Sequence, residues 1–141
     1  MTQRPLAELE TQLGYKFADQ SLLQQALTHA SFSGPTASYE RLEFLGDRVL
    51  GLLLAHYFYD HCPDDNEGAL SLRLHSEART ETLAKVARKL TIADFLQTQP
   101  GIRFVDNDNV LADVMESLLA AIYLDSGSVS YTHLTLPTII T

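Results

Sequence analysis

The sequence predicts an all-α protein with a single domain. Apolar residues recur at helical spacing from the N-terminus to about Gly127, and no internal repeat or low-complexity tract interrupts them. The chain has 141 residues, of which 45% are hydrophobic, so it can bury a core without disulfides or a structural metal. We therefore expect one helical domain over residues 1–127.

The first two helices are marked by the residues at their ends. Pro5–Leu13 is amphipathic, and Gly14 favours a helix stop directly after it. A second helix should begin near Asp19 or Ser21, because both are good N-cap residues. Residues 31–38 are rich in Ser, Gly and Pro and should form a loop.

Three longer helices follow. The longest pattern runs over Tyr39–His61 and ends before Pro63, because a proline disfavours the α conformation in the residue that precedes it. A further helix is expected from about Gly68–Leu90, and the last clear one covers Val110–Leu124. Between these two, residues 91–97 predict a short helix with a capping arrangement at its start.

The tail, residues 128–141, differs from the rest of the chain. It is rich in Thr, His133 is its only titratable side chain of the acidic or basic kind, and it shows no helical stripe. We expect a disordered or strand-like end, or a segment that is not native to the domain, and assign no function to it.

Composition narrows the classes of function. The net charge of −8 argues against a basic protein that coats nucleic acid. The single cysteine, Cys62, excludes an internal disulfide and favours a reducing, cytoplasmic setting. The N-terminus has no apolar signal core, the apolar run 49–55 is too short to cross a bilayer, and no glycine-rich phosphate loop is present. We expect neither a membrane partner nor a nucleotide cofactor.

Acidic residues occur within segments that otherwise look buried. Glu40, Glu43 and Asp47 are spaced i, i+3 and i+7, so they share one face of a helix that is apolar around most of its circumference. Asp113 and Glu116 repeat the i, i+3 spacing in the most apolar part of the last helix. Clustered carboxylates raise one another's pKa because their charges repel, and a bound divalent cation would offset that repulsion.

Hard oxygen ligands select Mg²⁺ or Mn²⁺, and an ion of this kind also bridges an acidic site to an anionic substrate. Phosphoryl-transfer chemistry is then one interpretation. The other is an exposed, salt-bridged helix face, which is common in proteins. On residue chemistry alone, the two interpretations stay equally open.

Residues 39–50, Tyr-Glu-Arg-Leu-Glu-Phe-Leu-Gly-Asp-Arg-Val-Leu, closely resemble the signature motif of the ribonuclease III family of double-stranded-RNA endonucleases. Other segments agree with the family in their order along the chain: Leu13–Phe17, Leu22–Ser31, Glu67–Leu70, Glu81–Ala84, Asn109–Glu116 and Ile122–Asp125. The resemblance covers residues 1 to about 127 and is specific, because the signature is long and the second acidic motif lies at the expected distance.

The resemblance implies an all-helical endonuclease domain that acts as a homodimer. It implies Mg²⁺-dependent hydrolysis of double-stranded RNA to 5′-phosphate and 3′-hydroxyl ends in rRNA and mRNA processing, with Mn²⁺ able to substitute. Typical bacterial members continue into a double-stranded-RNA-binding domain, which this chain lacks, so we expect weak intrinsic affinity for RNA.

The resemblance implies functional roles for several residues. The expected metal ligands are Glu43, Asp47, Asp113 and Glu116. Of these, Asp47 and Glu116 are the expected catalytic residues. Glu40 and Glu67 match auxiliary acids that contribute to dimer contacts, metal positioning or RNA contact in the valley between subunits. Phe44 resembles an aromatic residue that enters a pocket on the partner, and an ordinary core position is its alternative.

Two other readings remain. One is a non-catalytic or truncated ribonuclease III-like module that binds RNA or a partner. The other is an acidic helical interaction protein whose carboxylates face solvent. One departure from the family bears on all of them: Arg48 stands where relatives usually have a small residue, and it places a cation beside the acidic cluster.

Overall fold

The structure, a computed structural model, describes residues 4–127, and the regular secondary structure of these residues is helical. Within this stretch it contains α1 (Leu6–Leu13), α2 (Gln20–Ala26), α3 (Glu40–His61), α4 (Glu67–Glu77), α5 (Thr80–Lys89), a short 3₁₀ helix (Ile92–Phe95) and α6 (Asp108–Ser126). The only β-type pairing among these residues is an isolated bridge between Thr28 and Gln97. The all-α prediction is confirmed, and the predicted tail 128–141 lies outside the described residues.

Helix α6 forms the centre of the molecule. It packs most extensively against α3, then against α5 and α2. Its buried residues are Leu111, Ala112, Val114, Met115, Ser117, Leu118, Leu119, Ala120, Ala121 and Ile122. The helix is two residues longer at each end than Val110–Leu124 predicted, because the Asn107 side chain caps its start and Gly127 ends it with a left-handed φ of 62°. No helix between residues 4 and 127 has both the length and the apolar character to span a membrane.

The predicted ends of the first three helices agree with the structure. Gly14 adopts a left-handed φ of 69° directly after α1. Asp19 caps α2, and its side chain accepts a hydrogen bond from the Ser21 amide. Helix α3 ends at His61, one residue before the Cys62 C-cap. Local signals were sufficient here, because each end is set by one cap or one proline.

The single helix predicted over Gly68–Leu90 is wrong, because the chain turns at Ala78 and Arg79. Arg79 is extended, with φ −67° and ψ 146°, and α5 begins at the next residue. Helix α5 buries four side chains, whereas α4 buries none fully. The turn lets α5 pack against α6 while α4 lies against the outside of α3.

The capping arrangement predicted at Thr91 is also wrong. Thr91 has a left-handed φ of 50°, and its side chain caps no amide. Its hydroxyl instead accepts a hydrogen bond from Arg4 at 2.7 Å and donates to the Leu90 carbonyl. The residues after it form only the 3₁₀ helix, which ends at Phe95. A contact from the distant N-terminus therefore replaces the local cap.

Candidate active site

Three of the predicted metal ligands meet between α3 and α6. Glu43 of α3 and Asp113 and Glu116 of α6 each place one carboxylate oxygen within 4.8 Å of the other two. All three side chains are half-buried. The two acidic patterns, separate in sequence, thus form one group, which we call the carboxylate group.

The close approach of the two helices depends on Gly46, one turn after Glu43. A Cβ atom added at Gly46 would lie 1.7 Å from the carbonyl oxygen of Glu116. The next residue of α6, Ser117, is buried, and its hydroxyl donates a hydrogen bond to the Ala26 carbonyl of α2 at 2.7 Å. No role was predicted for Gly46 from the sequence, although a glycine within a helix is itself a signal of close packing.

Glu116 is held in a protonated form by its surroundings. Burial raises the pKa of Glu116 to about 8, and a hydrogen bond with Asp47 acts in the same direction. The negative charges of Asp47, Asp113 and Glu43 add to the rise. Every neighbour that shifts this pKa is itself acidic.

Asp113 shows the same behaviour. Burial raises the pKa of Asp113 to about 7, followed by the charge of Glu43 and a hydrogen bond with it. Carboxylates in this state repel one another as soon as they ionise. The carboxylate group therefore has the donor atoms and the electrostatic need for a divalent cation.

Asp47 lies at the edge of the carboxylate group rather than within it. Its side chain is exposed and interacts with Glu116 on one side. On the other side it forms an ion pair with Arg48, with Nη1 and Oδ2 3.2 Å apart. Arg48, which stands where related sequences usually have a small residue, thus provides a cation for Asp47 and not for the three clustered acids.

The two auxiliary acids are not part of the carboxylate group. Glu40 begins α3, is exposed, and accepts a hydrogen bond from the Ser38 hydroxyl at 3.1 Å. Glu67 begins α4 and is also exposed. The structure therefore leaves their predicted contribution to dimer or RNA contacts untested.

Phe44 is a surface residue, because 70% of it is exposed, so the core alternative is wrong. The guanidinium of Arg48 lies over its ring, 5.9 Å from the ring centre. A groove of about 550 Å³ lies beside Phe44, on a surface formed by α2, α3 and the end of α6. It is lined by Leu22, Gln25, Glu40, Arg41, Leu42, Phe44, Leu45 and Leu124.

Tyr39 lies one helical turn from Glu43 of the carboxylate group, although no role was predicted for it from the sequence. It is 4% exposed, and its ring meets the ring of His29 in a T-shaped contact at 5.9 Å. Burial, followed by the charges of Asp113 and Glu43, raises its pKa above the ordinary value. The available signal was its position, one residue before the first acid of the α3 pattern.

Comparisons with known proteins agree with this architecture. The family model described as Ribonuclease-III-like matches residues 19–141. The chain is 48% identical over 125 residues to Ribonuclease 3 of Rhizobium meliloti (strain 1021), covering 86% of this chain and 52% of that protein. It is 45% identical over 123 residues to Ribonuclease 3 of Brucella abortus (strain S19), covering 84% and 50%. The chain thus spans about half the length of the curated relatives it matches.

Solved structures of nuclease domains are similar as well. One structure of the ribonuclease III nuclease domain from Campylobacter jejuni has a TM-score of 0.87 at 33% identity and covers 96% of each chain. A second structure of that domain has a TM-score of 0.86 at 32% identity and covers 97% of this chain and 94% of its own. The first of these concerns structural flexibility in the region of that domain involved in dimer formation.

Proposed function

The chain belongs to the ribonuclease III family, and from this premise we propose that it is an endoribonuclease. It hydrolyses phosphodiester bonds of double-stranded RNA with the help of Mg²⁺ and leaves 5′-phosphate and 3′-hydroxyl ends. It acts in the processing of rRNA and mRNA in the cytoplasm. The observation that carries the proposal is the meeting of Glu43, Asp113 and Glu116 within 4.8 Å.

The carboxylate group fits a divalent cation in its chemistry and its size. Two oxygens bound to the same Mg²⁺ lie about 3–4 Å apart, so a small inward movement of the three side chains would bring them into range. Glu43, Asp113 and Glu116 would hold the ion, and Mn²⁺ would be accepted by the same oxygens. When bound, the ion supplies activation of water and stabilisation of charge on the phosphate.

Asp47 is the acid best placed to contact a water molecule at the edge of this site. It contacts Glu116 yet is exposed, so both solvent and a bound RNA strand can reach it. We assign to it the orientation of the attacking water, with water as the nucleophile. Arg48, in an ion pair with Asp47, lies beside this carboxylate.

The proposed enzyme is a homodimer with one site in each subunit. Phe44 and the groove beside it expose an aromatic ring next to an apolar recess, the kind of surface that a two-fold symmetric interface can use twice. In the proposed dimer, each Phe44 enters the groove of the partner. Phe44→Ala should then shift sedimentation towards the monomer, and an unchanged dimer would reject this assignment.

A cleavage assay tests the catalytic proposal. Long double-stranded RNA is incubated with the protein in Mg²⁺, with and without a chelator. Glu116→Gln and Asp47→Asn should each lower the cleavage rate by about a thousandfold or more, equivalent to about 4 kcal/mol, while the fold is retained. Glu81→Gln, at an exposed position on α5, is the matched control and should cleave normally. Normal cleavage by both site variants at saturating Mg²⁺ would refute the site assignment.

Calorimetry separates this proposal from its alternatives. Binding of Mg²⁺ or Mn²⁺ that is lost in Glu116→Gln, together with cleavage, supports the enzyme. The same binding without cleavage indicates a non-catalytic or truncated module of this fold, which is a relevant outcome because the chain spans about half of its relatives. An absence of heat would indicate that the acids have no metal-binding role.

A further inference from the structure

A buried tyrosine lies beside the carboxylate group without a hydrogen-bond partner for its hydroxyl. Tyr39 is 4% exposed, and its hydroxyl forms no hydrogen bond with any residue between 4 and 127. Buried polar groups are nearly always hydrogen-bonded, because an unpaired one lowers stability. The Tyr39 hydroxyl is thus a donor for which the described part of the fold supplies no acceptor.

Tyr39 and Glu43 are one helical turn apart at the start of α3. The Tyr39 carbonyl accepts a hydrogen bond from the Glu43 amide at 2.8 Å, so the two side chains leave the same side of the helix. Burial, and then the charges of Asp113 and Glu43, raise the pKa of the phenol, so both acids are near enough to act on it. A phenol hydroxyl is protonated at neutral pH without any such shift, and it can donate to oxygen atoms gathered at the carboxylate group.

The position of the ring is fixed by contacts that do not involve the hydroxyl. The Tyr39 amide donates to the Thr28 carbonyl at 2.9 Å. The His29 ring packs against Tyr39 and is itself held by Ser31, whose amide donates to His29 Nδ1 at 3.0 Å. Removal of the hydroxyl should therefore leave the ring in place.

We propose that Tyr39 is a positioning residue of the carboxylate group, and that its hydroxyl donates a hydrogen bond to the oxygen ligands of a divalent cation held by Glu43 and Glu116 with Asp113. This inference rests on the function proposed above. Hydrogen bonds from outside the ligand set orient metal ligands, and the loss of one typically weakens metal binding 10–100-fold.

The test measures Mn²⁺ binding by calorimetry, and thermal unfolding in the absence of metal, on the full chain and its variants. Tyr39→Phe removes the hydroxyl and keeps the ring. Tyr57→Phe is the matched control, because Tyr57 is also partly buried on α3, stacks on His61, and lies about 21 Å along the helix from Glu43. Glu116→Gln serves as the reference without a metal site.

We expect Tyr39→Phe to raise the dissociation constant for Mn²⁺ about tenfold without lowering the midpoint of thermal unfolding, because no polar group is left unpaired. Tyr57→Phe should bind Mn²⁺ as the unmodified chain does. A tyrosine that serves only the fold would give the opposite pattern, with a lower midpoint of unfolding and unchanged Mn²⁺ affinity, and that result would overturn the inference.

The controls distinguish failure of this inference from failure of the proposed function. If the unmodified chain binds Mn²⁺, Glu116→Gln abolishes the binding and Tyr39→Phe binds normally, the inference alone is wrong. If the unmodified chain binds no Mn²⁺, both the inference and the proposed function are wrong.

Discussion

Two half-buried acids of α6, one at the middle of the helix and one at its C-terminal end, are treated by the fold in opposite ways. At the middle of the helix, Glu116 is surrounded by other carboxylates, and burial and their charges raise its pKa to about 8. Near the end, Asp125 accepts hydrogen bonds from the Tyr15 hydroxyl at 2.5 Å and from the Ala18 and Asp19 amides at 2.9 and 2.8 Å. Burial would raise the pKa of Asp125, but these hydrogen bonds together lower it.

The difference separates a structural acid from a functional one. Asp125 ties the segment after α1 to the end of α6, and its charge is satisfied by the fold itself. Glu116 has no comparable donors among the groups that act on its pKa, so the fold disfavours its ionised form. A half-buried acid that the protein leaves unsatisfied is the stronger indication of a ligand from outside.

The largest expected effect concerns the contact between α3 and α6 beside Glu116. Gly46→Ala should lower the free energy of unfolding by about 3 kcal/mol, because the new Cβ would lie 1.7 Å from a backbone oxygen of α6. Urea unfolding measures this. Gly51→Ala, on the same helix with nothing within 4 Å of its added Cβ, is the control and should stabilise by about 0.5–1 kcal/mol. Equal effects of the two substitutions would contradict the tight contact.

The acids within α6 and the acid at its C-terminal end should both affect how stability depends on pH. Raised pKa values of about 7 for Asp113 and about 8 for Glu116 mean that the folded, metal-free protein binds more protons than the unfolded chain above the ordinary values of 3.8 and 4.5. Its free energy of unfolding should therefore fall as pH rises from about 4.5 to 8, by about 2 kcal/mol after allowance for solvent screening. Asp125 has the opposite sign, so its contribution is lost only as pH falls below 3.8.

Denaturant titrations at a series of pH values, with and without saturating Mg²⁺, measure this dependence. Mg²⁺ should remove the decline towards pH 8, because it binds the ionised carboxylates of the folded state. A metal-free protein that becomes more stable between pH 5 and 8 would show that the fold itself stabilises the ionised forms of Asp113 and Glu116.

Asp125→Asn should lower the free energy of unfolding by about 1–2 kcal/mol. The neutral amide keeps one acceptor oxygen, but its NH2 group faces either the Asp19 amide or the Ala18 amide and the Tyr15 hydroxyl, and all of these groups also donate. Thermal unfolding measures the loss, and cleavage per folded molecule should not change. A loss of cleavage without a loss of stability would place Asp125 with the functional acids.

The smallest effect should have the opposite sign. At pH 8.5 without metal, Glu116→Gln should raise the free energy of unfolding by about 0.5–1 kcal/mol, because it removes one of several mutually repelling charges. Thermal unfolding of the two α6 variants, side by side, measures the contrast. If Glu116→Gln destabilises as much as Asp125→Asn, the distinction between these two acids of α6 is wrong.

The sequence predicted the helices whose ends are set locally and failed where distant contacts decide. Gly14, Asp19 and Pro63 marked ends that the structure retains. The turn at Arg79 has neither a glycine nor a proline, and arises because α4 and α5 pack on different neighbours. Apolar periodicity reports which side of a helix is buried, but it carries no information about which helix covers that side.

The candidate active site, like the helices, could be predicted only in part from the sequence. Helical spacing placed Asp113 and Glu116 on one face, and acids within apolar helices made a metal site one of two equally open interpretations. Spacing also grouped Asp47 with Glu43, whereas the structure leaves Asp47 exposed at the edge, paired with Arg48. The role of Tyr39 could not be predicted, because an unpaired hydroxyl is visible only once its neighbours are in place.

Gly46 has a consequence for the energetics of cation binding. Because the backbone of α6 fills the place of a side chain at this position, the two helices cannot slide or rotate to move the carboxylates apart. The unfavourable work of assembling like charges is then done during folding and not when the ion arrives. A preorganised ring of oxygens binds more tightly than one that must first be gathered, so part of the affinity for the cation originates in a residue that has no side chain.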